Sequence, residues 1–297
     1  MSVPTDFMLA GGSGFDDPRD AVIAYSERGW LFSQKMDGVR VMLSKGVLTT
    51  RGRQKVPDTV LVRELLAPYF DTIGGYVLDG ELVAVCAGIQ SPSVAASFAA
   101  TGVAKPDYEI KFRPFDILAR GGFDLSEAPL RERLAHLADV APVEHVSHGR
   151  FGSRMWENAE KYGWEGLIAK DPNSSYVPGR SSRWVKIKRR QVTTCIVVGS
   201  DLGKGARVQT FGALHLAQRT KGGLSMLGRV GSGFTDADLD MIMRRLGAGL
   251  PFCIDVEHLG FTEHGKLREP VFVAVSRTNP MQCWDPSAAP DSHTVEA

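Results

Sequence analysis

The stretch QKMDGVR at residues 34–40 places a lysine close to an aspartate, a glycine and an arginine. A lysine amine attacks an electrophile only in its neutral form, and the pKa of a free lysine is ~10.4. Nearby positive charge, or a bound cation, lowers that pKa and exposes the lone pair. Gly38 permits a tight turn or a close ligand approach, and Arg40 offers a planar fork that fits phosphate. Because a surface ion pair does not need this order, we interpret Lys35 as a candidate nucleophile.

A short pattern of this kind also arises by chance, so it needs support from other cations and acids in the chain. In WVKIK the strand period of two puts Lys186 and Lys188 on one face, opposite an apolar face. Two parallel lysines suit a polyphosphate, but lysines also protect edge strands, and the pattern alone leaves both interpretations open. Arg51 and Arg53 in TTRGR add two further cations after the next strand.

Carboxylates and one aromatic residue complete the candidate set. Asp79 and Glu81 share a face of VLDGELV, where an unpaired carboxylate would be costly to bury. They need a divalent cation, a ribose hydroxyl or a basic side chain, and a structural salt bridge to an arginine is an equal alternative for Asp79. Glu165 and Lys170 in WEGLIAKD carry the same ambiguity. Phe115 in FRPFD offers a flat face to a purine, although an aromatic residue in a strand usually belongs to the core.

Composition excludes several classes of protein. The chain has 297 residues with 43% hydrophobic residues, enough for two domains of ordinary size, and its net charge of +1 does not indicate a polyanionic partner. The basic run at 179–190, taken alone, is typical of a solvated face. The sequence contains no CxxC pair, so we do not expect a zinc knuckle. It also shows no signal peptide and no apolar membrane span. These features predict a cytoplasmic protein with reduced thiols, with no membrane partner.

The elements that must position these residues fall into two groups. Up to about residue 190, the patterns predict a mixed α+β domain built around antiparallel sheet. The sequence predicts helices at 18–29, at 57–70, at 126–140 with Ser126 as its cap, and at 153–163 with Gly163 at its end.

The second group begins near Val192, where short strands alternate with glycine-rich turns. One helix interrupts them, with a capping box of Thr235 and Asp238 and an expected end at Gly247. Short strands with one helix suit a small Greek-key barrel of the OB type. We therefore expect domains at 1–190 and 191–284, followed by a polar tail at 285–297 that is expected to be disordered.

The stretches KMDGVR, TTRGR, VLDGELV, FRPFDILA, WEGLIAKD and SSRWVKIK occur in this order. The set strongly resembles the covalent nucleotidyltransferases and, within them, the ATP-dependent DNA ligases, over nearly the whole chain. The resemblance implies an adenylation (nucleotidyltransferase) domain followed by an OB domain, with ATP as substrate and Mg²⁺ or Mn²⁺ as the metal. With it we expect a monomer that acts at the nucleoid on nicked duplex DNA, and repair or replication proteins as candidate recruiters.

The resemblance also implies a role for each matched residue. Lys35 would attack the α-phosphate of ATP and form lysyl-AMP. The expected nucleotide contacts come from Arg40, Arg51, Glu81, Phe115, Lys186 and Lys188. Glu81 and Glu165 would hold the metal. The expected DNA contacts come from Arg40, Arg51, Arg53, Lys204 and Arg207.

The C-terminal motif departs from the family pattern. Arg268, Pro270 and Phe272 are kept, but Arg277 is displaced by one residue, and Asn279 stands where the family has an aspartate. This change puts the efficiency of self-adenylation in question. The alternative functions are an RNA ligase, an mRNA-capping guanylyltransferase, or a non-catalytic nucleic-acid-binding relative.

Overall fold

The computed structural model of the chain describes residues 3–69, 75–140, 146–262 and 264–284. The chain divides into two compact units, Met1–Arg189 and Arg190–Ala297. Each unit has its own hydrophobic core. The tail at 285–297, for which the sequence predicts disorder, lies outside the described residues.

The first unit contains two β-sheets. Its strands are β1 (Met8–Gly12), β2 (Leu31–Gln34), β3 (Val39–Ser44), β4 (Val47–Thr50), β5 (Tyr76–Cys86), β6 (Ile89–Gln90), β7 (Glu109–Arg120), β8 (Phe123–Asp124), β9 (His148–Gly149), β10 (Gly166–Lys170) and β11 (Gly179–Lys188). One sheet has the order β1-β11-β10-β2-β9, and the other has the order β4-β3-β5-β7-β8 with β6 beside β5. The strand pairs are antiparallel, as predicted, except that β1 and β11 run parallel.

Helices cover these sheets. They are α1 (Pro18–Glu27), α2 (Val60–Leu66), α3 (Pro92–Thr101), α4 (Leu130–Val140) and α5 (Gly152–Tyr162). The predicted start of α1 at Pro18 and the predicted end of α5 before Gly163 are confirmed. The helix expected at 57–70 is shorter, because the Thr59 side chain accepts a hydrogen bond from the Val62 amide and caps α2 there.

One prediction for this unit was wrong, and one helix was missed. Ser126 does not cap α4, because its amide and hydroxyl both donate to the Asp124 carboxylate. Pro129 keeps the preceding residue out of the helical region, so α4 begins at Leu130. Helix α3 was not predicted at all.

Four apolar clusters hold the first unit together, of which the smallest contains Ala84 of β5 with Val94 and Ala95 of α3. One packs α2, α3 and α4 against β3, β5 and β7, and a second packs α1 and α5 against β2, β10 and β11. The third joins the two sheets, since it contains Met8 of β1 and Trp184 of β11 from one sheet and Met42 of β3 and Leu118 of β7 from the other. The two sheets are therefore packed against each other through this cluster.

The second unit is a five-stranded antiparallel sheet with one helix. Its elements are β12 (Gln191–Leu202), β13 (Phe211–Thr220), β14 (Gly223–Val230), α6 (Asp236–Ala248), β15 (Phe252–His258) and β16 (Val271–Val275). The sheet order is β14-β13-β12-β15-β16. The capping box of Thr235 and Asp238 is confirmed, but α6 continues past Gly247 to Ala248, and Gly249 is its C-cap.

The helices of both units are short. Among the residues that the structure describes, no helix is long and apolar enough to cross a membrane.

Candidate active site

Lys35 directly follows β2, and β10 lies between β2 and β11, the strand that carries both Lys186 and Lys188. The Lys35 amide donates to the Gly166 carbonyl at 2.9 Å, and Gly166 pairs with Lys188. Two residues earlier, Ser33 pairs with Ile168, which pairs with Lys186. Paired residues of an antiparallel sheet point to the same face. Lys35, Lys186 and Lys188 therefore share one face of three adjacent strands.

This face concentrates positive charge. Burial lowers the pKa of Lys186, and the charges of Lys188 and Lys35 lower it further. Arg180 and Arg51 contribute in the same direction. Arg180 had not been singled out from the sequence, where it is one basic residue in a run of several.

Glu165 supplies the facing negative charge. It directly precedes β10, and its carboxylate accepts from the Lys35 ammonium at 2.5 Å. The Glu165 side chain is 6% exposed and that of Lys35 is 21% exposed, so a ligand can reach the lysine more readily than the acid. In the structure the basic partner of Glu165 is therefore Lys35 and not an arginine.

Glu81 reaches the same region from the second sheet. It lies on β5, where its backbone pairs with that of Arg40 on β3. Burial raises the pKa of Glu81 to about 8, while the positive charges of Lys35 and Arg40 oppose this rise. A buried carboxyl group with this pKa is a poor anion by itself, and a bound cation would favour its ionised form.

Arg40 and Asp79 form a buried ion pair. The Arg40 guanidinium donates twice to the Asp79 carboxylate, at 3.0 and 2.5 Å, and the Tyr176 hydroxyl donates to the same carboxylate at 2.7 Å. The salt-bridge interpretation of Asp79 is therefore the one that the structure supports. The sequence led us to expect Arg40 at phosphates. In the structure its Nε and Nη2 groups both donate to Asp79.

Phe115 lies among cations. Its ring centroid is 5.2 Å from the Arg40 guanidinium and 4.6 Å from the Lys170 ammonium, and its edge meets the Trp184 ring. Lys170 is buried, with its ammonium 3.0 Å from His148 Nε2. Burial lowers the pKa of Lys170 to about 7. Phe115 itself is half-buried. Part of its ring therefore packs in the core, and part is accessible to a ligand.

Comparison with known proteins decides the family. The family model described as "ATP dependent DNA ligase domain" matches residues 8–188. The chain belongs to this family. A "DNA ligase" of Haloarcula marismortui is 29% identical over 236 residues, covering 71% of this chain and 42% of that protein. "DNA ligase B" of Mycobacterium tuberculosis is 31% identical over 232 residues, covering 71% and 45%. The chain thus spans less than half the length of these relatives.

Solved structures of ligases share the fold. A Lig E DNA ligase structure superposes with a TM-score of 0.66 at 21% identity, covering 92% of this chain and all of that one. The ligase domain of Mycobacterium tuberculosis LigD superposes with a TM-score of 0.51 at 23% identity, covering 95% and 98%. The first unit accordingly has the fold of the nucleotidyltransferase domain of the ATP-dependent DNA ligase family, built on antiparallel sheets.

The other candidates of this ligase-family chain make local contacts within their own units. Arg53 pairs with Asp6 at 2.8 Å on the surface. In the second unit Lys204 is exposed, and Arg207 donates to the Gly231 carbonyl at 2.8 Å. Asn279 accepts from the Met281 amide and begins a short 3₁₀ turn.

Sequence reasoning missed a second buried ion pair behind Phe115. Asp116 receives two hydrogen bonds from Arg133 of α4, each at 2.8 Å, and both side chains are fully buried. Like Tyr176 and His148, Arg133 comes from a distant part of the chain. The only sequence signal for such a partner was the position of Asp116, an acid in an apolar strand directly after Phe115.

Proposed function

We propose that the protein is an ATP-dependent DNA ligase that seals 5′-phosphate/3′-hydroxyl nicks in duplex DNA through a lysyl-AMP intermediate. The observation that carries this proposal is the common face of Lys35, Lys186 and Lys188 beside Glu165. One nucleophile, a pair of cations and one acid at this spacing suit nucleotidyl transfer, because that reaction depends on positioning and on neutralising phosphate charge.

In the first step Lys35 attacks the α-phosphate of ATP. The P–N bond forms, the bond to the β-phosphate oxygen breaks and pyrophosphate leaves. The ammonium must lose a proton and separate from Glu165 before its lone pair can attack. Lys186 and Lys188 then lie where they can neutralise charge on the α-phosphate.

A divalent cation fits the two carboxylates of this site. Glu81 and Glu165 would hold Mg²⁺ or Mn²⁺ together with water and phosphate oxygens, the ligand set that these hard cations prefer. When bound, the cation supplies Lewis-acid stabilisation of the phosphate oxygens. The raised pKa of Glu81 supports this assignment, since a bound cation would stabilise the ionised carboxylate and offset its desolvation.

Phe115 is proposed to stack on adenine, and Glu81 to accept from the ribose in addition to its metal role. Arg51 adds positive charge for phosphates, because its charge already acts on Lys186. Arg40 would reach a phosphate only by leaving Asp79, so we assign it to fixing β3 against β5 until DNA or nucleotide arrives.

In the later steps the AMP passes to the 5′-phosphate at a nick, and the neighbouring 3′-hydroxyl attacks and releases AMP. Protonated Lys35 is a good leaving group for the second step. We assign the adenylation domain to 1–190 and an OB-fold domain to 191–284, supported by the five antiparallel strands and by α6 between β14 and β15. Arg53, Lys204 and Arg207 are proposed DNA contacts of a monomer that acts at the nucleoid.

Intact mass after incubation with ATP and Mg²⁺ tests the proposal. We expect a gain of one AMP that is lost when nicked duplex DNA is added, and no gain for Lys35→Ala. Label from GTP alone would identify a capping enzyme, and sealing restricted to RNA nicks would identify an RNA ligase. Unchanged sealing by Lys35→Ala would exclude Lys35 as the nucleophile.

Pre-adenylated nicked DNA separates the steps. If Asn279 in the C-terminal motif slows only self-adenylation, the protein seals pre-adenylated nicks much faster than ordinary nicks supplied with ATP. Equal rates on both substrates would show that the altered motif does not limit the first step.

A further inference from the structure

The side chain of Gln90 reaches from the short strand β6 into the segment that carries Lys35. That segment, residues 35–38, crosses from β2 in one sheet to β3 in the other. The Gln90 side-chain oxygen accepts a hydrogen bond from the Asp37 amide at 2.7 Å, and its side-chain nitrogen lies 4.0 Å from Met36 Sδ. A side chain of the second sheet therefore contacts both residues that follow Lys35.

A tight hairpin presents Gln90 to this segment. Ala87 and Gly88 connect β5 to β6 with φ angles of 49° and 81°, and positive φ at both positions is what a common type of two-residue hairpin turn requires. Directly after Gln90, the Ser91 amide donates to the Ala84 carbonyl at 2.9 Å, and the Ser91 side chain caps α3. The backbone is thus fixed on both sides of Gln90.

The short strand β6 adds little to the apolar core. Its other residue, Ile89, is 73% exposed, and Gln90 is half-buried. What β6 supplies to its surroundings is therefore the polar contact of Gln90 with Asp37 and not apolar packing.

The segment at 35–38 is also anchored at both of its ends. The Lys35 amide donates to the Gly166 carbonyl of the first sheet at 2.9 Å, and Gly38 packs against the Leu82 carbonyl of the second sheet. The contact with Gln90 lies between these two anchors. Rotation of the intervening peptides would redirect the Lys35 side chain, and a displacement of about 1 Å at a reacting atom can cost about 100-fold in rate.

We propose that Gln90 is a positioning residue for self-adenylation, because its hydrogen bond to the Asp37 amide fixes the segment from which Lys35 attacks. This inference rests on the proposed function and deepens it, since Gln90 lies outside the six stretches that carry the family resemblance. Lys35 forms a bond to phosphorus in the first step and loses it in the second, whereas in the third step the 3′-hydroxyl attacks the adenylated 5′-phosphate. Gln90 should therefore affect the steps that use Lys35 and not the final closure of the strand.

Gln90→Met tests the proposal, since it nearly keeps the length of the side chain and removes the hydrogen-bond acceptor. We expect the rate of AMP-adduct formation at saturating ATP to fall by about tenfold, while the KM for ATP stays within about twofold of wild type. Closure of pre-adenylated nicked duplex should proceed at the wild-type rate. Gln90→Glu keeps an acceptor oxygen and should recover most of the lost adduct rate.

Gln54→Met is the matched control, since it makes the same substitution at an exposed side chain of the first unit, and it should form the adduct at the wild-type rate. An unchanged adduct rate in Gln90→Met would overturn the inference. An equal loss of adduct formation and of closure would also overturn it, because a general structural role has that effect. An equal loss in Gln90→Glu would show that the acceptor is not the cause.

The behaviour of wild type separates this inference from the proposed function. If wild type forms no AMP adduct, the ligase proposal is removed and the role of Gln90 with it. If wild type forms the adduct and Gln90→Met forms it equally fast, only the role of Gln90 is removed.

Discussion

The ammonium of Lys35 lies 2.5 Å from a carboxylate oxygen of Glu165, although the two residues are 130 positions apart. In the proposed mechanism Lys35 is the nucleophile, and an ammonium has no free lone pair, so this ion pair would hold the nucleophile in its inactive form. A divalent cation competes with Lys35 for the same carboxylate. We therefore propose that the pair would couple binding of the metal and nucleotide to release of the Lys35 amine.

Glu165→Gln tests this coupling. We expect the rate of AMP-adduct formation at saturating ATP to fall by about 100-fold or more, because the variant loses a charged ligand for the metal. A time course of intact mass measures the rate. Glu160→Gln is the control, since it makes the same change at a surface carboxylate that pairs with Arg19 at 2.7 Å. A Glu165→Gln variant that adenylates as fast as wild type would contradict the proposed role.

Glu81 makes stability depend on pH. Burial raises its pKa from 4.5 to about 8, so between these values the folded protein keeps a proton that the unfolded chain has released. Wild-type stability should therefore fall as pH rises through this window, by up to about 1.4 kcal/mol per pH unit, while Glu81→Gln should not share this loss.

Thermal unfolding without metal or nucleotide, between about pH 5 and 8, measures the effect. Glu64→Gln on the exposed face of α2 is the control, and it should follow wild type across the range. A constant difference in Tm between wild type and Glu81→Gln would show that Glu81 does not titrate in this window.

The two-residue period of a strand was sufficient to predict which side chains of one strand share a face. The strand period placed Lys186 and Lys188 on one face, and the structure confirms that face because β11 is a regular strand beside β10. A salt bridge from Asp79 to an arginine was one of the alternatives that the sequence left open, but the sequence did not identify Arg40 as that arginine. The sequence could not choose between them, since the choice depends on the register between β3 and β5.

Long-range partners could not be derived in the same way. Tyr176 donates to Asp79 across 97 positions, and Arg133 reaches Asp116 from a helix, so both contacts depend on how sheets and helices pack. Helix α3 is a different kind of omission. Its cap at Ser91, Pro92 in its first turn and Gly102 at its end are all present in the sequence, but its alanines give no strong apolar period.

Gly38 is required by close packing. A Cβ at this position would lie 2.1 Å from the Leu82 carbonyl oxygen and 3.0 Å from Val83 Cγ1, and a strand backbone cannot yield as a side chain can. We expect Gly38→Ala to destabilise the first unit by about 2 kcal/mol or more and to slow adenylation, because the strain acts next to Lys35.

Urea unfolding and the AMP-adduct rate measure the two effects of Gly38→Ala. Gly52→Ala is the control for stability, since its added Cβ would approach Thr50 Oγ1 no closer than 3.8 Å. Stability equal to wild type in the Gly38→Ala variant would mean that β3 and β5 lie further apart than described.

Lys170 gives stability the opposite pH dependence to Glu81. Its ammonium lies 4.2 Å from the Trp184 ring centroid and 3.0 Å from His148 Nε2. Burial lowers its pKa to about 7, and Arg40 and Arg133 act in the same direction, while Asp116 and Asp79 oppose them. Above about pH 7 the folded protein releases this proton, whereas the unfolded chain keeps it up to ~10.4. Wild-type stability should therefore rise with pH relative to Lys170→Met.

Thermal unfolding of both proteins between about pH 6 and 9 measures this difference. The Tm of wild type minus that of Lys170→Met should be constant below about pH 7 and should grow in favour of wild type above it. Lys161→Met is the control, because Lys161 is exposed and also lies beside an aromatic ring, with its ammonium 5.1 Å from the Tyr162 centroid. Repeating the comparison in a His148→Gln background assigns the proton, since a dependence that disappears there belongs to the histidine and not to Lys170.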